Sequence, residues 1–301
     1  MRTQLLEALH NDFCELQGCK CKTLEPVGSA STWRAELSNG RSLFLKLASP
    51  AMLKVEARGL RSLQQWADPT LVLIPDPLGI VPVGELAALI LPWLDTGRGD
   101  QYDLGRGLAR LHRTSSDAGM DRFGWDEEGF IGLGPQPAGW LTSWGDAFVS
   151  LRLTPQLQLA STWGLALDQL EPLLAATRVW LDQHQPRSCL VHGDLWGGNA
   201  SVLADGRGAL IDPACWWADR EVDLAMTHLF GGFSSRFYEG YQQEWPLDAN
   251  HQDRIDVYNL YHLLNHANLF GGSYEKQCLT AINAMRSMLL RGREKIKPDS
   301  A

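Results

Sequence analysis

Near residue 95 the hydrophobic period of the chain changes, and that change narrows the choice of fold. Before it, "CKTLEPVG", "STWRAELS" and "SLFLKLA" read as strands. Asn39-Gly40, between the last two, marks a two-residue hairpin turn, because both residue types tolerate positive φ. A helix is expected over residues 3–17. A second is expected in "AMLKVEARGLRSLQQWA", with Met52, Val55, Gly59, Leu60 and Leu63 on one face. "LVLIPDPLGIVPVGELAALILPWL" then supplies two more strands interrupted by proline and glycine. After the connector "DTGRGD" the pattern turns helical, in "YDLGRGLARLHRTSS" and near 140–150, 165–183, 221–230, 234–244 and 252–270. The exception is "CLVHGDLWGGNASVLADGRGALIDPA", which reads as strand, loop, short strand, an Asp205-Gly206 turn and another short strand. Strands do not alternate with long helices, so two lobes fit better than one continuous α/β sheet. The expectation is an α+β, bilobal chain. Residues 1–94 form a small antiparallel-sheet lobe. Residues 95–301 form a larger, mainly helical lobe that carries the "HGD" loop and a substrate pocket.

A formal net charge of -8 argues against a nucleic-acid or anionic-membrane partner. The N-terminal stretch lacks the apolar core of a secretory signal, and no run approaches the roughly 20 apolar residues that cross a bilayer. A cytoplasmic location is therefore expected; the oligomeric state stays open, with a monomer favoured. The six cysteines are scattered, and Cys19 and Cys21 stand closer than the usual zinc-ligand pair. They read as reduced, structural thiols.

Phosphoryl transfer needs few parts: a cation on the nucleotide phosphates, a holder for it, oxygen ligands for magnesium and a carboxylate near the attacking hydroxyl. Each has a candidate. Lys46 interrupts an apolar strand, which is costly for a buried ammonium unless it is paired, and Glu56 on the next helix is the available partner. The other reading of Lys46 is an edge-strand side chain reaching solvent. Asp194 and Asn199 in "HGDLWGGN" stand five positions apart, the spacing of Asp and Asn in a protein-kinase catalytic loop. Asp212 follows the strand "ALI", where a kinase carries its second magnesium ligand, and oxygen suits that hard cation. "EPVGSASTW" is a reduced glycine loop in which Gly28, Ser29, Ser31 and backbone amides either cradle phosphate or form a plain β-turn. In "LILPWLDTG", the expected adenine edge, Pro92 offers only its carbonyl, so Trp93 or Leu94 must supply any backbone donor.

Gly193 stands where protein kinases have the arginine that in many of them anchors an activation loop. Only "PACWWADRE" separates Asp212 from the next helical run, which leaves no room for a peptide-binding loop. A small-molecule acceptor fits better.

"LVHGDLWGGNA", "LIDPACWWADREVDLAMTHLFGGF" and "YHLLNHANLFGG" closely resemble the fructosamine kinase family, the ketosamine or ribulosamine 3-kinases, which share a protein kinase-like fold with aminoglycoside and choline kinases. "FGWDEEGFIGLGPQPAGW", "LRLTPQLQLA" and "MLKVEARGLRSL" extend the likeness over nearly the whole chain, with residues 22–33 its weakest part. The resemblance implies ATP-dependent phosphorylation of the C3 hydroxyl of a ketosamine, free or protein-bound, as a deglycation repair. It implies Asp194 as base, Asn199 and Asp212 as Mg2+ ligands, and Lys46 with Glu56 on the phosphates. Trp196 is either a wall for the sugar adduct or a packing residue. His262 and His266 share a helix face, too few for a zinc site; His266 is a candidate for the substrate pocket. Asp219, Arg220, Glu221 and Asp223 are expected to cap a helix and brace the site. Two other functions stay open: a kinase of an aminoglycoside, amino sugar or choline-like alcohol, and a non-catalytic nucleotide-binding protein.

Overall fold

The structure, a computed structural model, describes residues 1–14, 17–29 and 31–290. Helix α1 (Arg2–Leu9) runs into a wider π turn (His10–Cys14); residues 15 and 16 of the helix expected over 3–17 lie outside the described residues. Strands β1 (Cys21–Pro26), β2 (Thr32–Leu37) and β3 (Ser42–Ala48) follow, then α2 (Pro50–Gln64), β4 (Val72–Leu73), β5 (Gly79–Val83), β6 (Leu86–Pro92) and β7 (Thr96–Gly97). Helix α3 (Tyr102–Asp117) leads to β8 (Phe123–Trp125), β9 (Gly129–Ile131), β10 (Gly134–Gln136) and β11 (Gly139–Leu141). Next come α4 (Trp144–Phe148), a second π turn (Val149–Leu153), α5 (Thr154–Ala160) and α6 (Glu171–His184). Strands β12 (Cys189–Val191), β13 (Ala200–Leu203), β14 (Gly208–Leu210) and β15 (Trp216–Ala218) precede α7 (Glu221–Leu229), α8 (Ser235–Glu244), α9 (Ile255–Phe270) and α10 (Ser273–Leu289). The fold is α+β, as expected. No helix among the described residues is long and apolar enough to cross a membrane.

The chain packs as two compact units. The first comprises Met1–Arg110, Gly198–Pro213 and Ser234–Glu244, and the second Leu111–Gly197, Ala214–Phe233 and the chain from Trp245 onward. The expected boundary after residue 94 is a single cut, whereas the first unit gathers three stretches. Pairing explains one addition: β13 and β14 form a four-stranded sheet with β4 and β7, order β4-β14-β13-β7. Charge explains the other: Glu244 on α8 binds Arg106 and Arg110 on α3, at 2.8 and 3.1 Å.

In the first unit an antiparallel sheet of order β1-β2-β3-β6-β5 is backed by Leu5, Leu9 and Phe13 of the N-terminal helix, packed on Trp33, Leu43, Leu45 and Ile90. Each fully buried leucine contributes roughly 2 kcal/mol. The Asn39-Gly40 turn differs from expectation. Leu37 and Arg41 close a three-residue loop (Leu37 N to Arg41 O, 2.8 Å), and only Gly40 has positive φ, +83°. This is a type I turn with a glycine bulge, which asks nothing unusual of Asn39. Helix α2 starts at Ser49, whose hydroxyl accepts the Met52 amide, with Pro50 at the first turn. Its buried face is Leu53, Glu56, Ala57, Gly59, Leu60 and Leu63; Met52 and Val55 are only half-buried. The expected face was thus rotated, because a buried carboxylate breaks the apolar pattern.

In the second unit, strands ordered β11-β8-β15-β12 pack on an aromatic core. Trp144 lies 5.0 Å from Phe123, 5.6 Å from Trp216 and 5.9 Å from Tyr258. The middle of α9, Val257–Asn265, is buried.

Candidate active site

Period-two alternation settles where Lys46 points. Leu43, Leu45 and Leu47 fill the core side of β3, while Phe44 and Lys46 share the opposite face. That face lines a cavity of about 350 Å3, with Val27, Gly28, Leu91, Trp93, Ile211 and Asp212 also on its walls. The cavity is apolar along most of its length and charged at one end.

The charged end is built by three elements. The Lys46 ammonium lies 2.9 Å from Glu56 Oε2 on α2 and also pairs with Asp212. Burial alone would lower the Lys46 pKa, but the two carboxylates outweigh it and the net shift is upward. Glu56 is almost enclosed; burial, helped by the Asp212 charge, pushes its carboxyl up to about 7. The expected strand-lysine and helix-glutamate pair is therefore formed, and the solvent-reaching alternative for Lys46 is not what the structure shows.

The hairpin of β13 and β14 sets the next pair. Its open end carries Asn199 before Ala200 and Asp212 after Leu210, and Ile211 N donates to Asn199 O at 3.0 Å. The Asn199 amide nitrogen donates to the Asp212 carbonyl at 3.4 Å. Asp212 holds φ +54°, a left-handed conformation that costs a non-glycine residue about 1–3 kcal/mol. Its carboxylate and the Asn199 amide are oxygen ligands of the kind a hard cation takes.

At Pro92, Trp93 and Leu94, the stretch expected to be the adenine edge, the backbone amides are unequal. Trp93 N donates to Ser42 O at 3.0 Å, extending the β3–β6 ladder, so this amide is committed to the sheet. Pro92 has no amide, which leaves Leu94 as the backbone donor of the three. The glycine loop is less engaged: Gly28, at φ +67°, lines the cavity. Ser29 and Ser31 do not line it, and their hydroxyls bond each other at 2.9 Å. Thr32, which the sequence did not single out, does line it.

In the second unit the "HGD" loop is clamped from below. Asp223 on α7 is buried and accepts the amides of His192 at 2.7 Å and Gly193 at 2.8 Å, while His112 Nε2 of α3 sits 3.1 Å from it. Burial would raise its pKa, but the His112 hydrogen bond and its other partners win, and the carboxyl sits below the usual range. Asp194 N donates to His192 Nδ1 at 3.3 Å, which fixes that nitrogen as an acceptor. Bracing by Asp223 was expected; His112 was missed, because nothing local in "LARLHR" shows its partner. Asp219 takes the Glu221 amide at 3.1 Å and the Tyr258 hydroxyl at 2.6 Å, with His184 3.1 Å away, and Arg254 forks onto Glu221 at 2.6 and 2.8 Å. That network starts α7 and uses its own cations.

Trp196 and His266 meet in one aromatic cluster with Phe230, Phe270 and Tyr274. Phe230 lies 6.5 Å from Trp196 and 4.8 Å from His266, and Tyr274 lies 5.1 Å from His266. Trp196 and Phe270 remain 42% and 67% exposed, unusual for rings in contact with others. His266 Nδ1 donates to the His262 carbonyl at 2.9 Å. His262 is fully buried, and burial pulls its ring down to about 3, so it is neutral. Phe230 and Phe270 each precede a Gly-Gly pair, in "LFGGF" and "LFGGS", a repetition that could have drawn attention to both.

A strand lysine held by a helix glutamate, an Asp and an Asn at catalytic-loop spacing, and a strand-end aspartate define a phosphotransferase of protein kinase-like fold that acts on a hydroxyl group. The chain belongs to the fructosamine kinase family, whose sequence profile matches residues 12–288. It is 41% identical to the probable ketoamine kinase slr1563 of Synechocystis sp. over 229 residues, 75% of this chain and 76% of that one. Over 251 residues it is 38% identical to the probable ketoamine kinase VV1_2562 of Vibrio vulnificus, covering 81% and 85%. Among solved structures, a candidate fructosamine-3-kinase from Haemophilus somnus 129PT superposes with TM-score 0.80 at 26% identity, covering 95% of this chain and 97% of that one. Choline kinase LicA from Streptococcus pneumoniae shares the fold, with TM-score 0.62 at 13% identity over 94% and 99% of the two chains.

Proposed function

We propose that the chain is an ATP- and Mg2+-dependent ketosamine 3-kinase, transferring the γ-phosphoryl group to the C3 hydroxyl of a sugar joined to an amine. The observation that carries this is the Lys46, Glu56 and Asp212 group at the end of an apolar, nucleotide-sized cavity. Lys46 receives the α- and β-phosphates and Glu56 fixes its direction. Asn199 and Asp212 would hold magnesium, which would supply positive charge to the phosphate group in transfer. Asp194 accepts the proton of the attacking hydroxyl, and the aspartate clamp beneath its loop fixes where that carboxylate starts.

The aromatic cluster supports the amine-linked substrate class. A ketosamine carries a protonated secondary amine, and ring faces such as Trp196 and Phe270 attract a cation while tolerating varied groups on the amine. Release of the amine from the unstable 3-phosphate makes deglycation the biological role of this reading.

The test is turnover of ATP with fructose-lysine and ribulose-lysine adducts, followed by phosphorus NMR of the product. Phosphorylation at C3 is the expected result. Turnover of an aminoglycoside or choline without any ketosamine would replace this reading. ATP binding without turnover of any acceptor would favour a non-catalytic protein.

A further inference from the structure

Arg152 is a buried cation with no counter-charge in contact with it among the described residues; the Glu128 carboxylate acts on it only from a distance. It lies in the π turn Val149–Leu153 and is fully buried. Nη1 donates to the carbonyls of Pro137 at 3.1 Å and Leu151 at 2.9 Å. Nε and Nη2 meet no acceptor among the described residues. The guanidinium stacks 4.0 Å over the Trp216 ring, and the indole Nε1 of that ring is also buried without an acceptor. Burial pulls the guanidinium down to about 10, which still leaves it charged at neutral pH.

We propose that Arg152 Nε and Nη2 with Trp216 Nε1 form a binding site for a small monovalent anion, chloride in salt solution. These three orphaned groups are all N–H donors. A water molecule could satisfy a donor but not the charge, and an enclosed unpaired cation is expensive in a protein core. The indole face offsets part of that cost. A monatomic anion supplies the opposite charge and accepts from several donors at once. The site also has a mechanical neighbour. Trp216 Cδ1, bonded to Nε1, would lie 3.3 Å from a Cβ placed on Gly193, so the ring that holds the anion backs the loop leading to Asp194.

The test compares thermal unfolding of the parent chain in sodium chloride and in sodium gluconate at equal ionic strength. A Tm higher by about 4 °C in chloride, rising with its concentration, is expected. Trp216→Phe keeps the stacked ring but removes the donor and should shrink the difference; Arg152→Met should abolish it. Crystals of the parent soaked in bromide should show anomalous scattering between Arg152 and Trp216. Equal Tm values in the two salts, or no bromide at that position, would overturn the proposal. Both deciding measurements use the parent chain, so neither needs a variant that folds, and neither depends on the substrate.

Discussion

The Asp223 carboxylate meets the Gly193 amide at 2.8 Å, and Gly193 has no room for any side chain. A Cβ there would stand 2.0 Å from the Ala214 carbonyl oxygen, at φ +82°. Sterics alone therefore explain why this position differs from the arginine of protein kinases. Gly193→Ala is expected to destabilise the chain by about 4 kcal/mol or more in urea unfolding and to remove activity. A variant unfolding at the parent's urea midpoint would contradict the fit described.

His112 reaches the same loop through Asp223. His112→Leu should lower kcat by roughly 10- to 100-fold while leaving KM for ATP near the parent value. His112→Gln, whose amide nitrogen can replace Nε2, should restore most of the rate. If the loss appears in KM for ATP instead, the positioning role is wrong.

Asp194→Asn separates chemistry from nucleotide binding. The expected result is a fall in kcat of roughly 10^2- to 10^4-fold, with ADP affinity by calorimetry unchanged. Turnover at the parent rate would remove Asp194 from the mechanism.

The Glu56 carboxyl predicts a pH effect. Its folded pKa, about 7, stands above the ordinary 4.5, so the folded state holds this proton more tightly than the unfolded chain. Its contribution is fully present below pH 4.5 and is lost as pH rises through about 7. Thermal melts of nucleotide-free protein should show that loss, and Glu56→Gln, neutral throughout, should flatten this limb. Identical pH slopes in parent and variant would exclude Glu56 as its source.

Trp196→Ala and Phe270→Ala test the aromatic cluster. Each should raise KM for a ketosamine about tenfold and leave KM for ATP unchanged, since a ring–cation contact is worth about 1–2 kcal/mol. An unchanged ketosamine KM in both would confine the rings to packing.

What the sequence could offer was local: Asp194 and Asn199 become candidates by their spacing within one loop and Asp212 by its place at a strand end, and the structure brings Asn199 and Asp212 together at one hairpin end. Gly40 was recognisable as a turn residue, yet the turn type was not, because a bulged three-residue loop and a two-residue loop use the same dipeptide. Helix α2 resisted for a chemical reason. Its inward face includes Glu56, which is there to hold Lys46, and a hydrophobic period cannot foresee a carboxylate turned inward. Strands β8 to β11 are three residues each, too short to show a period, and α5 and α10 were not expected. The aromatic cluster draws on residues 196, 230 and 266–274, and Asp223 finds His112 across 111 positions. Such contacts are products of the fold and leave no trace in neighbouring letters.

If the cavity takes a nucleotide as proposed, the commitment of the Trp93 amide to Ser42 bears on which base it would accept. What remains of the edge is the Pro92 carbonyl, which can only accept, and the Leu94 amide, which can only donate. An adenine amino group answers the carbonyl, and the neighbouring ring nitrogen answers the amide. Guanine presents oxygen where adenine presents that amino group, and would set two acceptors against each other. With no second amide among the three to turn toward that oxygen, the strand pairing that stabilises the sheet would, on the proposed reading, also make the edge selective for adenine over guanine.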